Sequence, residues 1–411
     1  MAVRLWWLLL LLPALARAQA PPATQHALTL EEALALALER DPELAAAELA
    51  RQGAAAHRQQ AAHRPNPEAD FELENLSGDL PGASEAEATV TLSQRFELGG
   101  KRSARVAHAE SLMGLADWDR AGIRRDVVRE VEVAFAEGLG AQDRLRVSEE
   151  TLGLASEVTS AVDQKMRAGA IPPVEVTRAQ VAMARARIEV ESARIELRAA
   201  RRRLALTWGS TAPEFEVLAG ALDTLATAPD WPALVQQLDE NPDVGRWRDE
   251  IAVRQARFQA ERSLRVLDLT ASAGYRRLME TDQNTFVAGV GIPLPFARNQ
   301  GAIGVAAAEL AQATPQASSA RREAERALAD AVARLEIAQT TVRSLRGQVI
   351  PGATTAFEQV KRAYELGKVS YLDLLEARQS LAGARAAEVD ALIEIARARA
   401  EVASLTGGTR Q

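Results

Sequence analysis

The chain has 411 residues, a formal net charge of −7, no cysteine and 4% aromatic residues. The missing cysteines exclude a disulfide framework, a thiolate metal site and a lipid-bearing N-terminal cysteine. The acidic balance argues against nucleic acid as a partner.

Residues 1–20 read as a secretory signal peptide. Arg4 supplies the positive start, Leu5–Leu12 the apolar core, and Pro13 precedes two small-residue cleavage sites ending at Ala18 and Ala20. Its loss takes the charge to −9, because Arg4 and Arg17 leave with it. No later window reaches the ~18–20 apolar residues of a membrane helix. The mature chain is therefore expected to be exported without a helical anchor.

The rest says the same thing twice, about 200 positions apart. Leu34, Leu38, Pro42 and Leu44 fall on Leu234, Leu238, Pro242 and Val244; Gly169 falls on Gly367 and Glu175 on Asp373. A period this long marks a duplicated half-protein rather than a solenoid. The expected units are a first repeat over 21–209, a linker over 210–229 and a second repeat over 230–411.

Each repeat opens on a short helical region. The first is N-capped at Thr29 with Glu32 as capping-box partner, disturbed at Asp41-Pro42, and stopped near His63 by Pro65-Asn66-Pro67. Two alternating segments follow. Ala69, Phe71 and Leu73 alternate with Asp70, Glu72 and Glu74; Ala88, Val90, Leu92 and Phe96 alternate with Thr89, Thr91, Ser93 and Arg95. Period two predicts strands with one apolar and one polar face. The second repeat offers 267–275 and 285–294, with hairpin loops at Ser77–Ala86 and Arg276–Asn284. Each hairpin leads to long helices: 102–167 and 174–206, then 302–366 with kinks expected at Pro315 and Pro351, and 371–405. In the linker, Phe215–Leu218 reads as a short strand. Four strands cannot close a barrel, and strands of this length suit a tilted bilayer crossing. Bacterial barrels need at least eight strands, so several chains must contribute, and three would supply twelve.

Several segments together resemble the outer-membrane efflux factors of the TolC family, most closely the CzcC-like branch. They are "NPEADFELEN" (66–75), "LSQRFELGGKRSARV" (92–106), "GIPLPFARNQG" (291–301) and "YELGKVSYLDLLEA" (364–377). The resemblance implies a homotrimer whose twelve-stranded barrel sits in outer-membrane lipid. A long coiled-coil-like helical barrel would continue it through the periplasm. It further implies docking on a periplasmic adaptor (membrane fusion protein) and an inner-membrane pump of the resistance–nodulation–division type. The rival readings are a periplasmic adaptor and an exported coiled-coil scaffold, neither with a pore.

The turns Gly169-Ala170-Ile171 and Gly367-Lys368-Val369-Ser370 join the long helices, and the resemblance makes them adaptor contacts. Asp373 and Glu376 lie at i and i+3 on one helix face. Three copies would set six carboxylates around an axis, a cation-favouring gate; the bland reading is a solvated helix N-terminus. Glu175 and Arg178 match them in the first repeat, with Arg178 free for an ion pair between subunits. Leu98–Arg102 and Ala297–Gly301 read as strand-to-helix joints. His57 and His63, six apart, have a poor helical spacing for metal ligands. No cofactor and no enzyme motif is expected.

Overall fold

The computed structural model describes residues 27–76, 85–222, 230–294 and 299–407. The signal peptide, most of the first hairpin loop, part of the linker and Ala297-Arg298 lie outside the described residues. Helix α1 (Leu30–Arg40) starts on the expected capping box: the Glu32 N–H donates to the Thr29 hydroxyl at 3.2 Å, and the Thr29 N–H donates to the Glu32 carboxylate at 2.9 Å. Asp41 ends α1 and caps α2 (Pro42–Ala61) through the Leu44 N–H at 2.8 Å, with Pro42 at its first position. The disturbance expected at Asp41-Pro42 is thus a full break.

The second repeat builds the same break differently. Helix α5 (Trp231–Gln237) and a short 3₁₀ turn lead to Asn241, which caps α6 (Pro242–Ser263). Asn241 is fully buried and donates to the Leu405 carbonyl at 3.0 Å, which ties the repeat's first helices to its last.

Strands β1 (Glu68–Glu74), β2 (Glu87–Phe96), β3 (Leu269–Leu278) and β4 (Gln283–Gly291) form one antiparallel meander in chain order. The central β2–β3 seam joins the two repeats. β3 and β4 extend into the stretch expected as a loop, leaving a turn over 279–282. Charge pairing holds this extension: Arg276 donates to Thr89 and Glu87, and Arg277 to Asn284 and Asp282.

Register places Phe71, Val90, Tyr275 and Phe286 side by side on one face. No helix covers that row, and Phe71 and Phe286 are 70% and 87% exposed. On the opposite face Glu72, Thr89, Arg276 and Thr285 form the matching polar row. Among the described residues β1 and β4 are the unpaired edges of the sheet.

Helix α3 (Lys101–Arg167) is unbroken over 67 residues, about 100 Å at 1.5 Å per residue. It returns as α4 (Pro173–Leu206). The second hairpin is α7 (Gln300–Ser344), a π turn at Leu345–Val349, α8 (Ile350–Glu365) and α9 (Tyr371–Leu405). Pro351 acts as expected, since the π turn sits directly before the missing N–H. α7 runs on through Pro315, the position expected to kink it; Pro315 and Ala311, whose carbonyl it releases, both face solvent, where water can satisfy the freed acceptor. Near the sheet α3 packs between α2 and α6; towards the far end it packs between α4 and α9. The Phe215–Leu218 stretch reduces to one parallel bridge, Leu28 to Leu218. The core there gathers Leu28, Ala33, Val131, Phe135, Leu204 and Trp208.

An ion-pair ladder zips the repeats together: Glu137 with Arg397 at 2.5 Å, Arg144 with Asp390 at 2.5 Å, and Glu150 with Arg385 at 2.7 Å. Each pair is solvated and contributes at most about 1 kcal/mol, so the ladder sets alignment more than stability. At the sheet-to-helix joint, Gly99 and Gly100 both take positive φ, +70° and +76°. A Cβ on Gly99 would lie 2.4 Å from Cβ of Val266. Lys101 pairs with Asp268 at 2.6 Å and closes the same joint.

Candidate channel tip

The two helical hairpins end together, and residues of both share one core: Val158, Val162, Val176, Phe357, Tyr364, Tyr371 and Leu374. Both turns use the same device. Gly169 and Gly367 adopt left-handed φ of +71° and +72°. Gly169 and Ala170 donate to the carbonyls of Met166 and Lys165, both at 2.9 Å; Gly367 and Lys368 donate to those of Tyr364 and Ala363 at 3.0 and 2.9 Å. These are Schellman closures, and no atom lies within 4 Å of a Cβ on either glycine. Conformation, not crowding, selects glycine here.

The next helices start differently. Pro172 and Pro173 open α4 with no side-chain cap, whereas Ser370 and Asp373 form a capping box on α9. The Ser370 hydroxyl and N–H donate to the Asp373 carboxylate at 2.7 and 2.8 Å. The hydroxyl first, then the N–H, hold this acid below the usual carboxylate range. Asp373 therefore does the work of a helix N-terminus within the chain. Glu376 is exposed one turn on, with no hydrogen bond or ion pair among the described residues.

The first-repeat pair parts company. Glu175 is half-buried and accepts from the Tyr364 hydroxyl at 3.3 Å. Arg178 is exposed and has no carboxylate partner among the described residues. Among the turn residues, Gly169, Ala170, Gly367, Lys368 and Ser370 are exposed, while Ile171 and Val369 tuck partly into the core.

Tyr364 is the hub that the sequence reading missed. Lys165 lies 4.4 Å from its ring centroid and donates to the carbonyls of Tyr364 and Glu365, so one ammonium both stacks on α8 and caps its end. Tyr371 meets the same ring edge-on at 6.2 Å. Burial, then the Glu175 charge, push the Tyr364 phenol up to about 12, so it remains a hydrogen-bond donor. The signal available was that two of the chain's three tyrosines bracket the Gly367 turn.

At the other end of the molecule, Glu68, Asp70, Glu72 and Glu74 share the polar face of β1; Arg276 reaches Glu74 at 3.5 Å. Among the described residues no three His, Asp or Glu side chains converge to hold a metal ion. Nor, among the described residues, is any helix long and apolar enough to cross a membrane.

The outer membrane efflux protein family matches residues 33–210 and again 233–408. The chain belongs to that family. The double match follows the internal duplication. This efflux protein is 34% identical over 359 residues to the cobalt-zinc-cadmium resistance protein CzcC of Cupriavidus metallidurans, covering 87% of its own length and 85% of CzcC. It is 33% identical over 323 residues to the nickel and cobalt resistance protein CnrC of the same organism, covering 78% and 75%. In fold it is similar to CusC, a transmembrane channel, with a TM-score of 0.78 and 19% identity over 92% of both chains. It is equally similar to the outer membrane protein VceC of Vibrio cholerae, with a TM-score of 0.78 and 20% identity over 92% and 96%. The efflux protein thus has the TolC-type fold expected from its motifs.

Proposed function

We propose that three copies of this chain close a twelve-stranded barrel in the outer membrane. The barrel would pass heavy-metal cations outward from an inner-membrane pump through a periplasmic adaptor. The observation that carries this reading is the uncovered row Phe71–Val90–Tyr275–Phe286 on a sheet with two open edges. An apolar row facing lipid, and edges that pair with neighbouring copies, account for both features at once. A pore-free scaffold leaves the row unexplained.

The polar faces suit cationic cargo, which the resistance proteins CzcC and CnrC also suggest. In a trimer the β1 acids would line the barrel, and Asp373 with Glu376 would ring the tip. Glu175 would hold the tip closed through Tyr364, with Arg178 left for a pair between chains. The turns Gly169–Ile171 and Gly367–Ser370 would meet the adaptor.

Planar-bilayer recording of the purified protein tests the reading. A conducting, cation-preferring trimer is expected, and a trimer that conducts nothing would reject it. D373N/E376Q should weaken block by divalent cations. Glu68→Gln with Asp70→Asn and Glu72→Gln should lower the cation-to-anion permeability ratio about twofold or more, because rings of carboxylates focus a negative potential in a narrow lumen. An unchanged reversal potential in a salt gradient would remove these acids from the lumen.

A further inference from the structure

The polar face of the sheet changes sign at its helix end. Its β1 acids run down to Glu68, which pairs in register with Ser93. Two positions further along the same face of β2 stands Arg95, opposite Thr270. Arg95 opens onto a pocket of about 420 Å³ where α2, β2 and α3 meet, lined also by His57, His63, Arg64, Glu97 and Arg105. The two histidines whose spacing suits no metal thus share one wall.

Most charges at this joint are matched. Arg105 donates to both oxygens of Glu97 at 2.6 and 3.0 Å, and to the carbonyls of Ala61 and His63, both at 3.1 Å. It therefore closes the end of α2 and uses up the one acid of the pocket. Lys101 takes Asp268 in the same way. Arg64 and Arg95 are left over. Both are exposed, and neither has an ion pair or a side-chain hydrogen bond among the described residues.

Two unpaired guanidinium groups on one pocket suit a multivalent oxyanion, because each can give two parallel N–H bonds to a phosphate-type group. The Gln60 amide and the imidazoles of His57 and His63 supply further donors. No unmatched acid among the lining residues competes for them.

We propose that this pocket binds a multivalent oxyanion of the phosphate class, one in each chain. The proposal rests on the reading of the polar face as the lumen of a three-chain barrel, and it adds a ligand to that lumen. Six surplus arginines would then circle the axis just beyond the β1 acids. Empty, this ring opposes the passage of cations. Filled, its charge is cancelled and the acids act alone. Cation passage would thus depend on an accompanying anion.

The pocket stays open in such an assembly. Its walls come from three elements of one chain, and its mouth lies on the face that carries Arg95. The apolar edge of α2 is elsewhere: Leu49, 66% exposed, sits eight residues before His57, about 80° away around the helix. A neighbouring copy seated on Leu49 leaves the pocket facing the lumen.

Isothermal titration calorimetry on the purified full chain, at constant ionic strength, tests the site with inorganic phosphate and pyrophosphate. Phosphate is expected to bind at about one per chain, and pyrophosphate more tightly. R64Q/R95Q should weaken phosphate about tenfold or more and keep the wild-type melting temperature, since both side chains are exposed and unbonded. R265Q removes an exposed arginine at the same joint but outside the pocket, and should leave the affinity unchanged. In planar bilayers under a potassium chloride gradient, added phosphate should raise the cation-to-anion permeability ratio of the wild type about twofold. R64Q/R95Q should start at the higher ratio and ignore phosphate.

Unchanged phosphate affinity in R64Q/R95Q, or an equal loss in R265Q, would overturn the pocket in favour of diffuse net charge. Binding that leaves the wild-type permeability ratio unmoved would overturn its effect on cations. The two measurements also separate this inference from the channel reading. A conducting protein that binds no phosphate refutes the pocket alone, whereas phosphate binding without conductance keeps the pocket and refutes the channel.

Discussion

Replacing Tyr364 by phenylalanine and Lys165 by methionine is expected to raise the resting conductance of the reconstituted channel severalfold. Tyr364→Phe keeps the ring in its core but removes the hydroxyl that Glu175 accepts. Lys165→Met keeps the aliphatic stem but removes the ammonium that stacks on the ring and caps α8. Under the proposed closed tip, each lost interaction is worth about 1 kcal/mol, a shift of about fivefold in the closed population. In a trimer the change acts in three places. Single-channel recording checks it, and a double variant with wild-type conductance would detach this cluster from gating.

The pH dependence has a definite sign. The Tyr364 pKa is raised to about 12, so the stabilisation from its bound proton is complete below the ordinary phenol value and is lost as pH climbs towards 12. The Asp373 pKa is lowered, so its box stabilises fully above the ordinary carboxylate value and is lost as pH falls through the lowered one. Between those limits neither group titrates, and they should contribute no pH dependence to tip closure in the neutral range.

Gly99→Ala should be the most damaging single substitution at the sheet-to-helix joint. The left-handed backbone costs an alanine about 1–2 kcal/mol, and the collision with Val266 adds about 1–3 kcal/mol of overpacking. Gly169→Ala meets the first cost without the second, because its surroundings are open. Thermal melting followed by helical circular dichroism should place G99A well below G169A. Equal midpoints would show that Val266 yields without penalty. The same comparison should appear in the yield of membrane-inserted protein.

Much of the fold was legible because its signals are local. Thr29 with Glu32, Asp41-Pro42 and the alternation of Phe71 and Leu73 with Asp70, Glu72 and Glu74 act within a few residues and need no distant partner. The ends of β3 and β4 were not legible, because Arg276 and Arg277 look like loop residues until Thr89, Glu87 and Asn284 are opposite them. At the tip, spacing found the two glycine turns and the acids that follow. It could not pair Lys165 with Tyr364, which are 199 positions apart and on different hairpins.

The open edges of the sheet have a genetic consequence. If every barrel needs three β4-to-β1 seams, a chain with a spoiled β4 edge but intact helices still enters assemblies and ruins them. With equal amounts of good and bad chains, only about one assembly in eight would be free of the defect. Such an allele would be dominant, whereas an allele that prevents folding altogether would be silent beside a wild-type copy.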